Sequence, residues 1–156
     1  MSEEAGFAPL GPWREPFDVY RGALVIPVDP AGRVLLQLRD RWAPVHPGEW
    51  GLFGGAVEGD ETLLEAAMRE LEEETGLRPP AAEFRPFARI VSADSRRRLY
   101  TFEARIVATP ADIILGEGAG FGFFEREDMM RLDLVPPTRV LLAAWASSFA
   151  KSEIRA

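Results

Sequence analysis

A chain of 156 residues that is 47% apolar is long enough for one hydrophobic core and too apolar to be disordered throughout. It contains no cysteine, which excludes disulfides, thiolate nucleophiles and cysteine-ligated zinc. The net charge of −7 sits entirely in Glu58–Glu74, where eight acids face one base, Arg69; the other 17 acids and 17 bases cancel, so the expected partner of that segment is a cation, not nucleic acid or an anionic membrane.

In chain order, residues 1 to about 18 read as an irregular lead-in, with Trp13 and Phe17 expected to pack onto the body. The first 16 residues are acidic and contain several Pro and Gly, unlike a signal peptide, and no apolar run reaches membrane-spanning length. The expected compartment is the cytoplasm. Tyr20 to Val28 reads as a strand, with Pro27 suggesting an edge position. Asp29-Pro30-Ala31-Gly32 is a turn, and Arg33 to Arg39 is the returning strand. A loop with Pro44 and Pro47 leads to a short strand, Trp50 to Phe53, that runs into Gly54-Gly55.

The clearest helix is Thr62 to Thr75. Thr62 and Glu65 can form a capping box, and Gly76 stands where a left-handed cap needs glycine. Leu64, Ala67, Met68 and Leu71 form its expected buried stripe. Two strands follow, with a turn expected at Ser95 to Arg97. In the second, Tyr100, Phe102, Ala104 and Ile106 alternate with polar residues. Glu117 to Gly122 is a glycine-rich loop, Phe123-Phe124 a short strand, and Pro136-Pro137 precedes a last helix with Leu141, Trp145 and Phe149 four residues apart. No repeat or linker divides the chain, so one domain over residues 1–156 is expected. The interleaved strands and helices point to an α/β fold with a mixed sheet and helices on its faces.

The chemistry is expected on the long helix. Glu70, Glu73 and Glu74 lie at i, i+3 and i+4, where carboxylates are neighbours and repel without a counter-ion. A hard divalent ion such as Mg²⁺ takes oxygen ligands and shares its coordination with phosphates. Three acids at this spacing alone also describe a solvated helix face, as Glu72 on another side does. Gly54-Gly55, just upstream, lets backbone approach a ligand closely.

The joint pattern is more specific. Gly55, Glu61, Arg69-Glu70-Leu71, Glu73-Glu74 and Gly76-Leu77 give nine specified residues over 23 positions, and they match the Nudix box at each one. The chain therefore resembles the Nudix hydrolases. The order of elements before and after the box is similar too, over residues 20 to 150.

The resemblance implies an α/β/α sandwich with a mixed central sheet and a loop-helix-loop metal site. It implies that Glu70, Glu73 and Glu74 bind Mg²⁺, with Mn²⁺ as a substitute, and that the Gly54 carbonyl adds a ligand. Arg69, which can pair with Glu61 or steer a carboxylate, is a further catalytic candidate and Gly55 a substrate-binding one, and the identity of the general base differs between members. An acid from a later loop completes the site in many members. Glu117, between two glycines, is the candidate, with Glu103, Glu125 and Glu127 as alternatives. Arg39 resembles a phosphate-binding arginine, although an ordinary strand-end arginine fits equally. Trp50 could stack on a base or belong to the core. His46, the sole histidine, and the Arg96-Arg97-Arg98 cluster read as surface.

Phe53 stands where many members have Pro. His46-Pro47-Gly48-Glu49 is similar to the segment before the box in coenzyme A-cleaving members, but Asp40 and Pro44 stand where their motif has Ser and Arg. Val91 to Ser95 lacks the Pro and Tyr typical of members that cleave ADP-ribose or dinucleoside polyphosphates. The implied activity is a pyrophosphohydrolase acting on a nucleoside triphosphate or a small nucleoside diphosphate derivative, with no nucleic-acid or membrane partner. The competing reading is a nucleotide-binding or regulatory module without turnover. A calcium module is disfavoured because no EF-hand loop is present. A homodimer is one arrangement the sequence leaves open.

Overall fold

The computed structural model describes residues 3–11, 21–92, 97–116 and 118–155, with side chains up to Phe149 in the last helix. Trp13, Phe17, Ser95, Arg96 and Glu117 lie outside the described residues. No helix among those described is long and apolar enough to cross a membrane.

The strands are β1 (Ala8–Pro9), β2 (Arg21–Val28), β3 (Val34–Leu38), β4 (Trp50–Gly51), β5 (Phe53–Ala56), β6 (Phe84–Ser92), β7 (Arg97–Arg105) and β8 (Gly120–Phe124). They form one mixed sheet in the order β1-β6-β7-β2-β3-β4, with β5 also pairing β2 and β8 also pairing β3. The helices are α1 (Leu63–Thr75), the short α2 (Arg126–Met129) and α3 (Pro136–Arg155).

Two cores lie on the two faces of the sheet. In β2, Ala23 and Val25 join Leu63, Ala67 and Leu71 of α1, while Ile26 and Val28 join Met129, Leu141, Leu142 and Trp145 from α2 and α3. Alternation along β7 is sorted the same way: Tyr100, Phe102 and Ala104 face the α1 side and Leu99 faces the α3 side. With apolar residues wanted on both faces, the expected polar alternation fails at Thr101, which is fully buried.

Pro27 does not mark an edge, because β2 pairs in parallel with β7 along its whole length, from Arg21 opposite Arg98 to Val28 opposite Arg105. On its other flank β2 pairs with β5 over Gly22–Val25 and with β3 at Val28. Pro27 falls where β5 and β3 part, so its missing N–H is not needed on that flank.

The lead-in is not wholly irregular either. β1 pairs in parallel with β6, and Phe7 is buried edge-to-face against Tyr100 and Phe102, at ring-centroid distances of 5.3 and 5.0 Å. Glu3 accepts a hydrogen bond from the Leu63 amide at the start of α1. In α3 the two prolines form the first turn instead of preceding it, where their missing N–H groups leave nothing unpaired.

Helix α1 forms as its sequence demands. Thr62 and Glu65 make the reciprocal capping box, and Gly76 closes the helix at φ 78° with its N–H on the Glu72 carbonyl. The buried face, however, is Leu63, Ala66, Ala67, Leu71, Glu74 and Thr75, with Leu64 and Met68 at its margin. The stripe is rotated toward the acids, and Glu74 belongs to it.

Candidate active site

The three acids of α1 are not equivalent. Their side chains run from buried to open: Glu74 is 4% exposed, Glu70 14% and Glu73 57%. Glu74 lies three residues from Leu71 on the inward face, so its carboxylate meets β5 and β3. The Gly54 amide donates to its Oε1 at 3.2 Å and Gln37 Nε2 donates to its Oε2 at 3.0 Å. Both bonds favour a buried carboxylate over an unsatisfied one.

Close approach of backbone requires glycine at 54, whereas the space beside Gly55 is taken by a side chain. Gly54 has φ 149°, and a Cβ there would lie 2.1 Å from the Ala23 carbonyl. A Cβ on Gly55 would lie 2.5 Å from Glu70 Oε1, so the Glu70 carboxylate occupies the space a side chain would take.

Arg69 organises the acids. Its Nε and Nη2 donate to the two oxygens of Glu61 at 2.7 and 2.9 Å, and Nη2 also donates to the Ala56 carbonyl at 3.1 Å. Its Nη1 donates to Glu70 Oε1 at 2.9 Å and lies 3.3 Å from Glu73 Oε2. The Arg69 bond holds the Glu61 carboxyl below the usual carboxylate range, and Glu61 in turn raises the guanidinium above its ordinary value. Arg69 therefore positions Glu70 and Glu73, while Glu72 points outward toward Arg78.

These residues suit a hard divalent cation by donor chemistry, because carboxylate and backbone oxygens are what such an ion binds. Glu70 and Glu73 already converge on one positive centre, Arg69 Nη1. Among the described residues no three acidic or imidazole groups close into a cage, since Glu74 is turned to Gly54 and Gln37.

The later loop docks on the same helix end. The Ile114 and Gly116 amides donate to the carbonyls of Thr75 and Glu74, and the Ala119 amide donates to the Leu38 carbonyl. A Cβ on Gly116 would lie 2.2 Å from the Glu73 carbonyl, and one on Gly118 would lie 2.7 Å from that of Leu38. The neighbours of Glu117 are thus held between α1 and β3.

Its alternatives are placed elsewhere. Glu103 accepts from Trp145 Nε1 at 3.3 Å on the α3 face, and Glu125 and Glu127 are exposed around α2.

A cavity of about 330 Å³ opens beside Glu74, Gly54 and Gly55, and its walls include Gln37, Arg39, His46 and Arg97. Arg39 reaches it from the end of β3, with Nε donating to the Val45 carbonyl at 2.9 Å. Trp50 is not brought to it; its ring packs edge-to-face on Phe124 at 4.9 Å, within the α3-side core. His46 and Arg97, read as surface from the sequence, both line it. The loop fold brings His46 there, and the sheet register brings Arg97.

Residues 19–145 match the NUDIX domain family. An uncharacterized Nudix hydrolase of Pseudomonas aeruginosa is 38% identical over 74 residues, 47% of this chain and 44% of that protein. An oxidized purine nucleoside triphosphate hydrolase of Danio rerio is 50% identical over 54 residues, 35% of this chain and 33% of that protein. The chain thus aligns with less than half the length of these curated relatives. A mutT/nudix family protein from Listeria innocua shares the fold at a TM-score of 0.69 and 21% identity, over 91% of this chain and 100% of that one.

Proposed function

The chain belongs to the NUDIX domain family, and from there we propose that it is a metal-dependent hydrolase of a diphosphate linkage in a nucleoside triphosphate or small nucleoside diphosphate derivative. The observation that carries this reading is the convergence of Glu70 and Glu73 on a single positive centre, with Glu74 of the same helix buried in the wall of a cavity that Arg39 also lines. Glu70, Glu73 and Glu74 would hold Mg²⁺, or Mn²⁺ in its place, with the Gly54 carbonyl and Glu117 as further candidates. When bound, such an ion polarises a phosphoryl oxygen and lowers the pKa of water beside it.

One carboxylate of the set takes the proton of the attacking water. The water oxygen bonds to phosphorus, the bridging P–O bond breaks, and the leaving phosphate or nucleotide carries off the electron pair. Arg39 offsets charge developing on the phosphoryl oxygens. Arg69 keeps Glu70 and Glu73 aligned.

A panel of nucleoside triphosphates and nucleoside diphosphate derivatives, scored by phosphate and pyrophosphate release, tests this. Turnover is expected with Mg²⁺ or Mn²⁺ and is expected to vanish in excess chelator. Full activity in excess chelator, or none across the panel with metal, would overturn it.

A further inference from the structure

His46 is the sole non-glycine residue with positive φ among those described, at 52°. That conformation costs an L-residue about 1–2 kcal/mol. Glycine would avoid the cost, and Gly48, two residues on, does adopt φ 73°. A strained histidine is retained only where something over-determines it, and such outliers gather at working sites.

The loop is braced around it. The Arg39 amide donates to the Glu49 carbonyl at 2.9 Å, and the Gly48 amide donates to the Arg39 carbonyl at 3.1 Å. His46 Nδ1 lies 3.2 Å from Glu49 Oε2, a buried oxygen without a hydrogen bond of good geometry among the described residues. His46 lines the cavity with Arg39 and Arg97, and Glu74 is the acidic residue of that lining. The two guanidinium groups can receive an anion at the edge of the acidic helix.

We propose that His46 contacts a phosphate group of the bound nucleotide. This rests on the function proposed above. The contact persists from bound substrate to transition state, so its loss acts on KM more than on kcat.

Two variants separate the ring from the backbone. His46→Gly removes the imidazole and the strain, and His46→Ala removes the imidazole and keeps the strain. With the fastest nucleotide of the panel, both are expected to raise KM about 10-fold with kcat within about 2-fold. The increase is expected to be equal whichever base the nucleotide carries. His46→Gly should melt no lower than wild type and above His46→Ala.

Wild-type KM in His46→Gly with impairment only in His46→Ala would show that the backbone alone matters and would overturn the proposal. So would a KM increase that depends on the base. Wild-type protein runs alongside: if it turns over no nucleotide, the parent reading fails, whereas active wild type with an unchanged His46→Gly variant sinks the role of His46 alone.

Discussion

Gly54 and Gly55 are adjacent, yet they serve different neighbours. The space beside Gly54 belongs to backbone, the Ala23 carbonyl, which cannot yield. The space beside Gly55 belongs to the tip of Glu70, which can. Gly54→Ala is therefore expected to destabilise by about 3 kcal/mol or more, read by denaturant unfolding. Gly55→Ala is expected to leave stability within about 1 kcal/mol. It should still lower kcat, because it displaces the Glu70 carboxylate from its place beside Arg69. Equal stability losses in the two variants would show that Glu70 is not free to move. For the exposed acid, Glu73→Gln is expected to lower kcat by about 100-fold or more with an unchanged melting temperature. Glu72→Gln, which faces Arg78, should leave kcat unchanged. A Glu73→Gln variant with wild-type turnover would remove that carboxylate from the chemistry.

At the level of elements, α1 was legible in the sequence because every signal for it is local: the Thr62–Glu65 box, the Gly76 cap and the spacing of its acids. What could not be read was how the helix is rolled. Leu64 and Met68 fit an amphipathic stripe as well as Leu63 and Ala66 do, and only packing against β2 and β5 decides between them. The same roll buries Glu74, which spacing alone made the equal of Glu73. The N-terminal segment was illegible for a different reason: β1 is two residues long and owes its existence to β6, 80 positions away in register from Ala8 to Ala88. Phe7 gives that segment its anchor. Phe7→Ala is expected to cost about 3–5 kcal/mol through loss of its ring contacts with Tyr100 and Phe102. A thermal melt lowered by about 10 °C would match that cost for a domain of this size. A melt unchanged from wild type would mean the N-terminal strand is merely laid on the sheet.

For the molecule as a whole, the central event is the parallel pairing of β2 with β7, which sets Arg21 opposite Arg98. No strand between them in the chain substitutes for that contact: β3, β4 and β5 lie on the other flank of β2, and β6 pairs the far side of β7. The acidic helix can therefore wind early from its own caps, while the sheet beneath it waits for a strand made much later in the chain. Folding dominated by such distant pairings is slow, and stopped-flow refolding is expected on the millisecond-to-second scale. During that interval β2 presents an unpaired apolar edge, the kind of surface that recruits other chains. A fragment ending at Thr75 would carry nearly all of the acidic motif and still hold that edge open permanently. It is expected to aggregate under conditions where the full chain stays monodisperse by light scattering.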